Sequence, residues 1–254
     1  MNDRPLISMV LSSYRQKEFV LPALEALFKQ TYSPLEIVVS DDCSLDGSYE
    51  ALEEMVERYR STPSSRAKHK IILLSNVRNV GNAKNFERAY RAASGELIIN
   101  CDGDDISYPN RAEAIAEKWL TADKKPTLIF HGSRAVSLDG KPLASSPWRQ
   151  SLRHPLGAAM AFSPCVVRNY SPIVVDGCYQ DNVFTRRAYA YGEPLYIEDV
   201  LVDYRVGSGD TTKADFRTNR QRIAYAMMNS ARQNLLDLKE MRGGGGKKPT
   251  KLRR

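Results

Sequence analysis

Apolar residues along the chain alternate between two spacings, and the changes divide it into elements. "LISMVLSSY" is a largely apolar stretch ending in Ser12, Ser13 and Tyr14, the pattern of a short buried strand. "KEFVLPALEALFKQ" places Phe19, Leu24, Leu27 and Phe28 at helical spacing. Pro22 is expected in that helix's first turn, where a missing N–H costs little. "LEIVVSDDCSLDGS" repeats the strand and ends in an acidic turn, and "YEALEEMVERYR" aligns Leu52, Met55, Val56 and Tyr59 on one helix face. After the loop "STPSSRAKHK", "IILLS" predicts a third strand. "GNAKNFERAYRAAS" predicts a third helix, with Gly95 as its C-terminal cap. "GELIINCDGDDISYPNR" is a fourth strand that runs straight into Asp102, Asp104 and Asp105, with Pro109 placed to open the next helix. This alternation predicts right-handed β-α-β units and a largely parallel sheet.

Beyond Arg111 the pattern is mixed. "AEAIAEKWL" reads as a helix, "TLIFHG" as a strand and "SRAVSLDGKPL" as a strand and turn. "SSPWRQSLRHPLG" is a Pro- and Ser-rich loop, and "AAMAFS" a strand. "DNVFTRRAYAYG" is a helix ending near Gly192, and "PLYIEDVLVDYRV" two strands or one bent strand. A long helix, "FRTNRQRIAYAMMNSARQNLLDLKEMR", closes the pattern with Ile223, Met227, Leu235 and Leu238 among its apolar positions. The expected organisation is a single open α/β sheet crossing a boundary near Tyr108. Residues 1–108 form a Rossmann-like half, 109–241 a mixed half of the same domain, and 242–254 a flexible basic tail.

At 254 residues, with 42% hydrophobic and 26% charged positions, the chain is sized for one soluble domain with a substantial core. No apolar run is long enough to cross a bilayer, and "MNDRPLISMV" lacks the basic start and cleavage pattern of a secretory signal. Cys43, Cys101, Cys165 and Cys178 form no C-x-x-C pair. They read as packed free thiols in a reducing compartment, which points to a cytoplasmic address. Lys247, Lys248, Lys251, Arg253 and Arg254 account for most of the formal +7, leaving +2 on the rest. Basicity confined to a flexible end argues against a nucleic-acid partner. It leaves a weak attraction to anionic headgroups at the inner membrane face.

Familiar phosphate and catalytic devices are missing. The chain has no G-x-x-x-x-G-K-[ST] loop, no G-x-G-x-x-G after the first strand and no G-x-S-x-G elbow. His69, His131 and His154 show no ligand spacing. The repeated polar theme is carboxylates at strand ends: Asp41 and Asp42 after the second strand, Asp102, Asp104 and Asp105 after the fourth. Either cluster alone could be a solvated turn, with Ser44 and Asp46 merely capping a helix. In a parallel sheet both open on the same edge, where α/β folds place their ligands, so together they read as a site. Carboxylates this close repel unless a cation or a donor-rich ligand compensates them.

Together with "GAAMAFS" and "YQDNVFTRRAYAYGEPLYIEDVLVDYR", these stretches resemble the inverting family-2 nucleotide-sugar glycosyltransferases of the A-type fold. The matching pieces keep the family's order from Ile7 to Arg205. The resemblance implies transfer of a sugar from a nucleoside-diphosphate donor, UDP or dTDP favoured, to a glycan or lipid-linked hydroxyl, in polysaccharide or glycoconjugate synthesis. It implies that Ser13 and Tyr14 shape the base pocket and that Asp42 accepts the imide N–H of the base, supported by Asp41. Asp102 and Gly103 would lie at the nucleotide. Asp104, with Asp105, would hold Mn²⁺ or Mg²⁺, hard cations that share substrate phosphates. Lys84 is assigned to the nucleotide, with a solvated helix lysine as the plain alternative. Asp181 is the implied catalytic base; without the resemblance it would be an ordinary acidic residue at a helix start.

Two positions depart from the family pattern. Gln180 stands where a Glu is common, and Gly207 where a histidine often contacts the diphosphate or metal. They keep open a binding protein of the same fold that has lost turnover. A sugar nucleotidyltransferase is the more distant rival, since "SSYRQKEF" lacks the glycine-rich loop that reaction favours.

Overall fold

A computed structural model of the chain describes residues 4–63, 69–123, 127–143, 156–208 and 216–243. The central part of the "STPSSRAKHK" loop, the Pro- and Ser-rich stretch at 144–155, Gly209 and the basic residues after Gly243 lie outside them. Strands β1 (Ile7–Ser13), β2 (Leu35–Asp41), β3 (Lys70–Ser75) and β4 (Leu97–Asp102) are joined by helices α1 (Lys17–Phe28), α2 (Ser48–Arg60) and α3 (Asn82–Ala92). They pair in parallel, in the order β3-β2-β1-β4. The sheet continues through β7 (Met160–Phe162), β6 (Leu128–Val136), β8 (Leu195–Arg205) and β5 (Ile106–Ser107), eight strands in all. Helices α4 (Arg111–Thr121), α5 (Cys165–Arg168), α6 (Gln180–Tyr189) and α7 (Phe216–Gly243) complete the described chain.

The central strands are buried on both faces, as parallel strands must be. Alternate residues therefore feed two cores. Met9, Leu11, Ile37, Val39 and Ile99 pack towards α1, α2 and α4, while Val10, Val38 and Ile98 pack towards α3, α5 and α6. The second face also buries polar residues, which only bonding can sustain. Asn85 of α3 donates to Ser12 Oγ at 2.8 Å and accepts from Ser40 Oγ at 2.7 Å, fixing the helix against β1 and β2. Register then decides what meets at the edge: Ser13 pairs with Asp41, and Ser12 with Asp102.

Some local expectations change. Helix α1 begins at Lys17 because the Gln16 carbonyl accepts the N–H groups of Phe19 and Val20, so Pro22 lies a turn further in. Gly95 is not a helix cap, since α3 ends at Ala92 and Ala93 is extended. Gly95 is needed for close packing, because a Cβ there would come within 2.6 Å of the Ser8 backbone nitrogen. "TLIFHG" and "SRAV" form one strand, β6, and "PLYIEDVLVDYR" forms one strand, β8. The two slip register around Gly132, where a Cβ would meet the Asp199 carbonyl oxygen at 2.8 Å. The two-residue β5 and the single-turn α5 are too short to leave a period in the sequence.

Glu36 is wholly buried in β2 and is fully bonded. It accepts Ser8 Oγ at 2.8 Å, the Ser94 N–H at 2.7 Å, Ser94 Oγ at 2.6 Å and Lys70 Nζ at 2.8 Å. Burial alone would raise its pKa, but these donors outweigh burial and hold the carboxyl below its ordinary value. A depressed folded value contributes stability above the unfolded pKa and loses it as pH falls towards the folded one. Glu36→Gln is expected to lower stability at pH 7 by about 1–3 kcal/mol. Urea midpoints should show the gap to the parent closing as pH falls below the ordinary carboxylate range.

Candidate active site

The C-terminal ends of β1, β2 and β4 form one edge, and buried oxygens there lack partners. Ser13 Oγ has no hydrogen bond, although Ser13 is 1% exposed. Its neighbour Asp41 is fully buried: Oδ2 accepts the Ser44 N–H at 2.7 Å, whereas Oδ1 is unpartnered. Burial pushes the Asp41 carboxyl up, aided by the charges of Asp46 and Asp42 and opposed by Ser44. Tyr14 follows on the half-buried turn, with the Arg15 guanidinium 5.3 Å from its ring centre.

Asp42 is differently placed, and the expectation that it receives a base does not fit. Its Oδ1 accepts Asn76 Nδ2 at 2.8 Å and the Val80 N–H at 2.9 Å. Its Oδ2 accepts Asn79 Nδ2 at 3.0 Å and the Gly81 N–H at 2.8 Å. Both oxygens are saturated by the loop entering α3, so Asp42 organises that loop. Asp41, assigned only a supporting part, holds the open oxygen. Lys84 also departs from its assignment. Its ammonium is engaged by Asp176 and the Val174 carbonyl, tying α3 to the segment before α6.

The acidic turn packs directly on the end of β1. A Cβ at Gly103 would lie 2.8 Å from the Ser12 carbonyl oxygen, so only glycine fits without moving the turn. Asp104 Oδ2 accepts Ser208 Oγ at 2.6 Å, and Asp105 Oδ1 accepts the Arg205 N–H at 2.8 Å. Asp105 Oδ2 is buried and unpartnered. Burial raises both Asp102 and Asp105, and charge repulsion within the turn raises them further. Arg111 opposes that rise from behind.

Arg111 closed the quoted motif but carried no assigned role. It is fully buried and donates to the carbonyls of Asn100 and Ala158, each at 2.7 Å, to Ser107 Oγ at 2.9 Å and to His131 Nε2 at 3.0 Å. His131 must therefore carry its proton on Nδ1, which faces the Gly132 carbonyl at 2.9 Å. Burial and the Arg111 charge hold the imidazole well below its ordinary pKa, and so neutral. Ser208, beside Gly207, is the other missed residue. Its adjacency to "YRVG" was the available signal.

Asp181 opens α6 and is brought to the same edge. Burial raises its carboxyl, and its charge in turn raises Asp102 and the hydroxyl of Tyr204. Asp181 Oδ1 accepts the Asn182 N–H at 2.7 Å. Gln180 points inward, where the Tyr90 hydroxyl lies between its side-chain oxygen and that of Asn100. Asn100 in turn donates to the Gly157 carbonyl at 2.7 Å, linking β4 to the turn before β7.

Among the described residues, no group of three or more His, Cys, Asp or Glu side chains could by itself hold a metal ion. The turn does offer Asp104 and the unpartnered Asp105 oxygen, which suits a cation that takes its other ligands from phosphate and water. Crowded carboxylates, compensated only in part by Ser208, the Arg205 N–H and the Arg111 charge, thus stand together at the end of a parallel strand.

The sequence pattern of Glycosyl transferase family 2 matches residues 8–165, and the chain belongs to that family. A Mycobacterium tuberculosis protein of uncharacterised function, Rv1520, is 30% identical over 150 residues, 58% of this chain and 41% of its own length. The chain thus spans about two fifths of that relative. An Escherichia coli protein named for colanic acid biosynthesis glycosyl transfer, WcaA, is 25% identical over 226 residues, 83% of this chain and 76% of its own. Among solved structures, S. aureus TarS with UDP-GlcNAc superposes with a TM-score of 0.63 at 17% identity, covering 88% of this chain and 66% of TarS. The mannosyltransferase PcManGT of Pyrobaculum calidifontis, with GDP-Man and Mn²⁺, gives 0.62 at 18%, covering 98% and 67%. The fold is therefore the A-type glycosyltransferase fold.

The adjacent aspartates at the end of β2, Asp41 and Asp42, give opposite expectations for stability. Asp42→Asn removes acceptors from a loop that depends on them and should destabilise by about 2 kcal/mol or more. Asp41→Asn removes a buried, half-satisfied charge and should leave the melting temperature unchanged or higher. Differential scanning fluorimetry of the two variants checks the contrast; a larger loss for Asp41→Asn would reverse the assignment.

Proposed function

We propose that the chain is a metal-assisted inverting glycosyltransferase. It would move a sugar from a nucleoside-diphosphate donor to an acceptor hydroxyl, in polysaccharide or glycoconjugate synthesis. The observation that carries this reading is the set of buried, unpartnered oxygens on one edge, Ser13 Oγ, Asp41 Oδ1 and Asp105 Oδ2, with Asp181 close enough to Asp102 to raise its carboxyl. Folding has buried these polar atoms without protein partners, and a polar ligand would satisfy them. The ligands named for TarS and PcManGT, UDP-GlcNAc and GDP-Man with Mn²⁺, support a nucleotide-sugar donor.

In this mechanism Asp41 and Ser13, with Tyr14, receive the nucleoside. Asp41 replaces Asp42 as acceptor for a base N–H, and uracil or thymine would supply one. Asp104 and Asp105 would hold Mn²⁺ or Mg²⁺, which when bound offsets the charge of the departing diphosphate. Ser208 holds Asp104 in place, and the Arg205 N–H holds Asp105. Asp181 takes the proton of the acceptor hydroxyl as its oxygen attacks the anomeric carbon and the bond to the nucleoside diphosphate breaks. Attack opposite the leaving group inverts that centre. A carboxyl raised by burial is a stronger base once ionised, which suits the step.

Asp181→Asn preserves shape and removes basicity. Transfer, followed by nucleoside-diphosphate release, should fall on the order of 10²–10⁴-fold, with donor affinity by calorimetry nearly unchanged. Equal turnover in parent and variant would remove Asp181 from the reaction. Nucleotide binding without transfer or donor hydrolysis in either protein would favour the binding-protein reading.

A further inference from the structure

Helix α7 is built inside out. A surface helix ordinarily buries apolar residues and exposes polar ones. Here the inward side carries Ala226 and, near its end, Met241 against the core, but Asn229, Ser230, Gln233 and Asp237 between them are polar, and the last three fasten the helix. Ser230 Oγ accepts the Tyr179 N–H at 3.0 Å, and Gln233 Oε1 accepts the N–H groups of Val174 and Val175 at 3.0 and 3.2 Å. Asp237 receives the Arg187 guanidinium at 2.8 and 3.1 Å. Outward stand Tyr225, Met227, Met228, Leu235, Leu236 and Leu238, between 38% and 57% exposed.

The charges on the helix sort the same way. Asp237 is buried on Arg187, and Glu240 bonds Ser171 through its Oγ at 2.8 Å. Arg232 and Lys239 are exposed, so among the described side chains the outward charges are all positive. After Gly243 the sequence continues with Lys247, Lys248, Lys251, Arg253 and Arg254 and no acid. An apolar, aromatic and cationic face with no outward carboxylate matches a helix lying in an anionic lipid interface. A second copy fits less well, because two-fold pairing would bring Arg232 and Lys239 against their own copies with no outward acid on the helix to pair them. No helix among the described residues is long and apolar enough to cross a membrane, so the fit is to lying on a bilayer.

We propose that the outward face of α7 is a docking surface for an anionic membrane, entered by Met228 and Leu235 and steered by Arg232 and Lys239. The surface stands independently of the reaction proposed above. If that reaction holds, the bonds from α7 to Val174, Val175 and Tyr179 place the lipid plane a short stretch of chain from Asp181, where a membrane-anchored acceptor would arrive.

The test is co-sedimentation of the full chain with phosphatidylcholine vesicles, with and without phosphatidylglycerol. Binding should require phosphatidylglycerol. The pair Met228→Gln and Leu235→Gln, both at exposed positions, should weaken it by about tenfold or more, with an unchanged circular dichroism spectrum. Arg232→Ala with Lys239→Ala should reduce the preference for the anionic vesicles. Tyr225→Trp supplies a second readout, since its emission should shift to the blue on binding. Unaltered binding in the Gln pair, lost only when residues 244–254 are removed, would assign the contact to the tail and overturn the proposal. Absence of vesicle binding, together with a dimer in sedimentation that the Gln pair dissociates, would overturn it in favour of a second copy.

Discussion

One buried cation underlies the acidic edge. Arg111 makes no hydrogen bond to any of the carboxylates among the described contacts, yet its charge opposes the rise of Asp102 and Asp105. In a low-dielectric interior such a charge acts over several ångströms without contact. Its own burial is sustained by carbonyls, a hydroxyl and a neutral imidazole drawn from β4, β5, β6 and the turn before β7. Lysine could not replace it, because a point charge cannot satisfy so many directions at once. The first and second halves of the sheet are thus joined at the place where the acidic turn needs compensation.

That compensation is incomplete, and the incompleteness separates two kinds of buried carboxylate in this chain. Glu36 and Asp42 are saturated by protein donors and hold strands and loops together. Asp41 and Asp105 each keep one buried oxygen without a partner. An unpartnered buried oxygen costs free energy, and in the proposed function a donor or cation of the ligand would offset that cost. All four are buried carboxylates. Only the partners distinguish a structural carboxylate from one kept open.

This is why the fold was more legible than the site. Doubly buried parallel strands leave unbroken apolar runs, and their register brings strand ends to one edge, so the sheet and its acidic rim follow from pattern. Asp41 and Asp42 could not be told apart, because identical neighbours differ only in what the folded loop offers each of them. Arg111 and Ser208 act through groups distant in sequence, which no local spacing encodes. Pro22 and Gly95 were misplaced because a proline or glycine marks a constraint without saying whether it arises from a helix end or a close approach. The apolar positions of α7 were visible, but apolar spacing alone implies burial, and polar anchors reversed the direction in which the helix faces.

The two halves are also held by different forces. The first half rests on apolar strands that pack on both faces, and many small contacts share the load. Around Asp181 the work falls to Arg187, 2% exposed, which joins Glu87 of α3 at 3.3 Å, Asp237 of α7 at 2.8 Å and the Ser171 carbonyl at 3.2 Å. Its guanidinium also lies 4.8 Å from the ring centre of Tyr170. A shared apolar core tolerates change at any one residue, whereas a single buried guanidinium does not. Loss of Arg187 would release α7, α6 and the segment between Ser171 and Tyr179 together, and with them the setting of Asp181. The edge that would receive the nucleotide is therefore fixed by the sheet, while the side that would meet the acceptor is fixed by a few directional polar bonds.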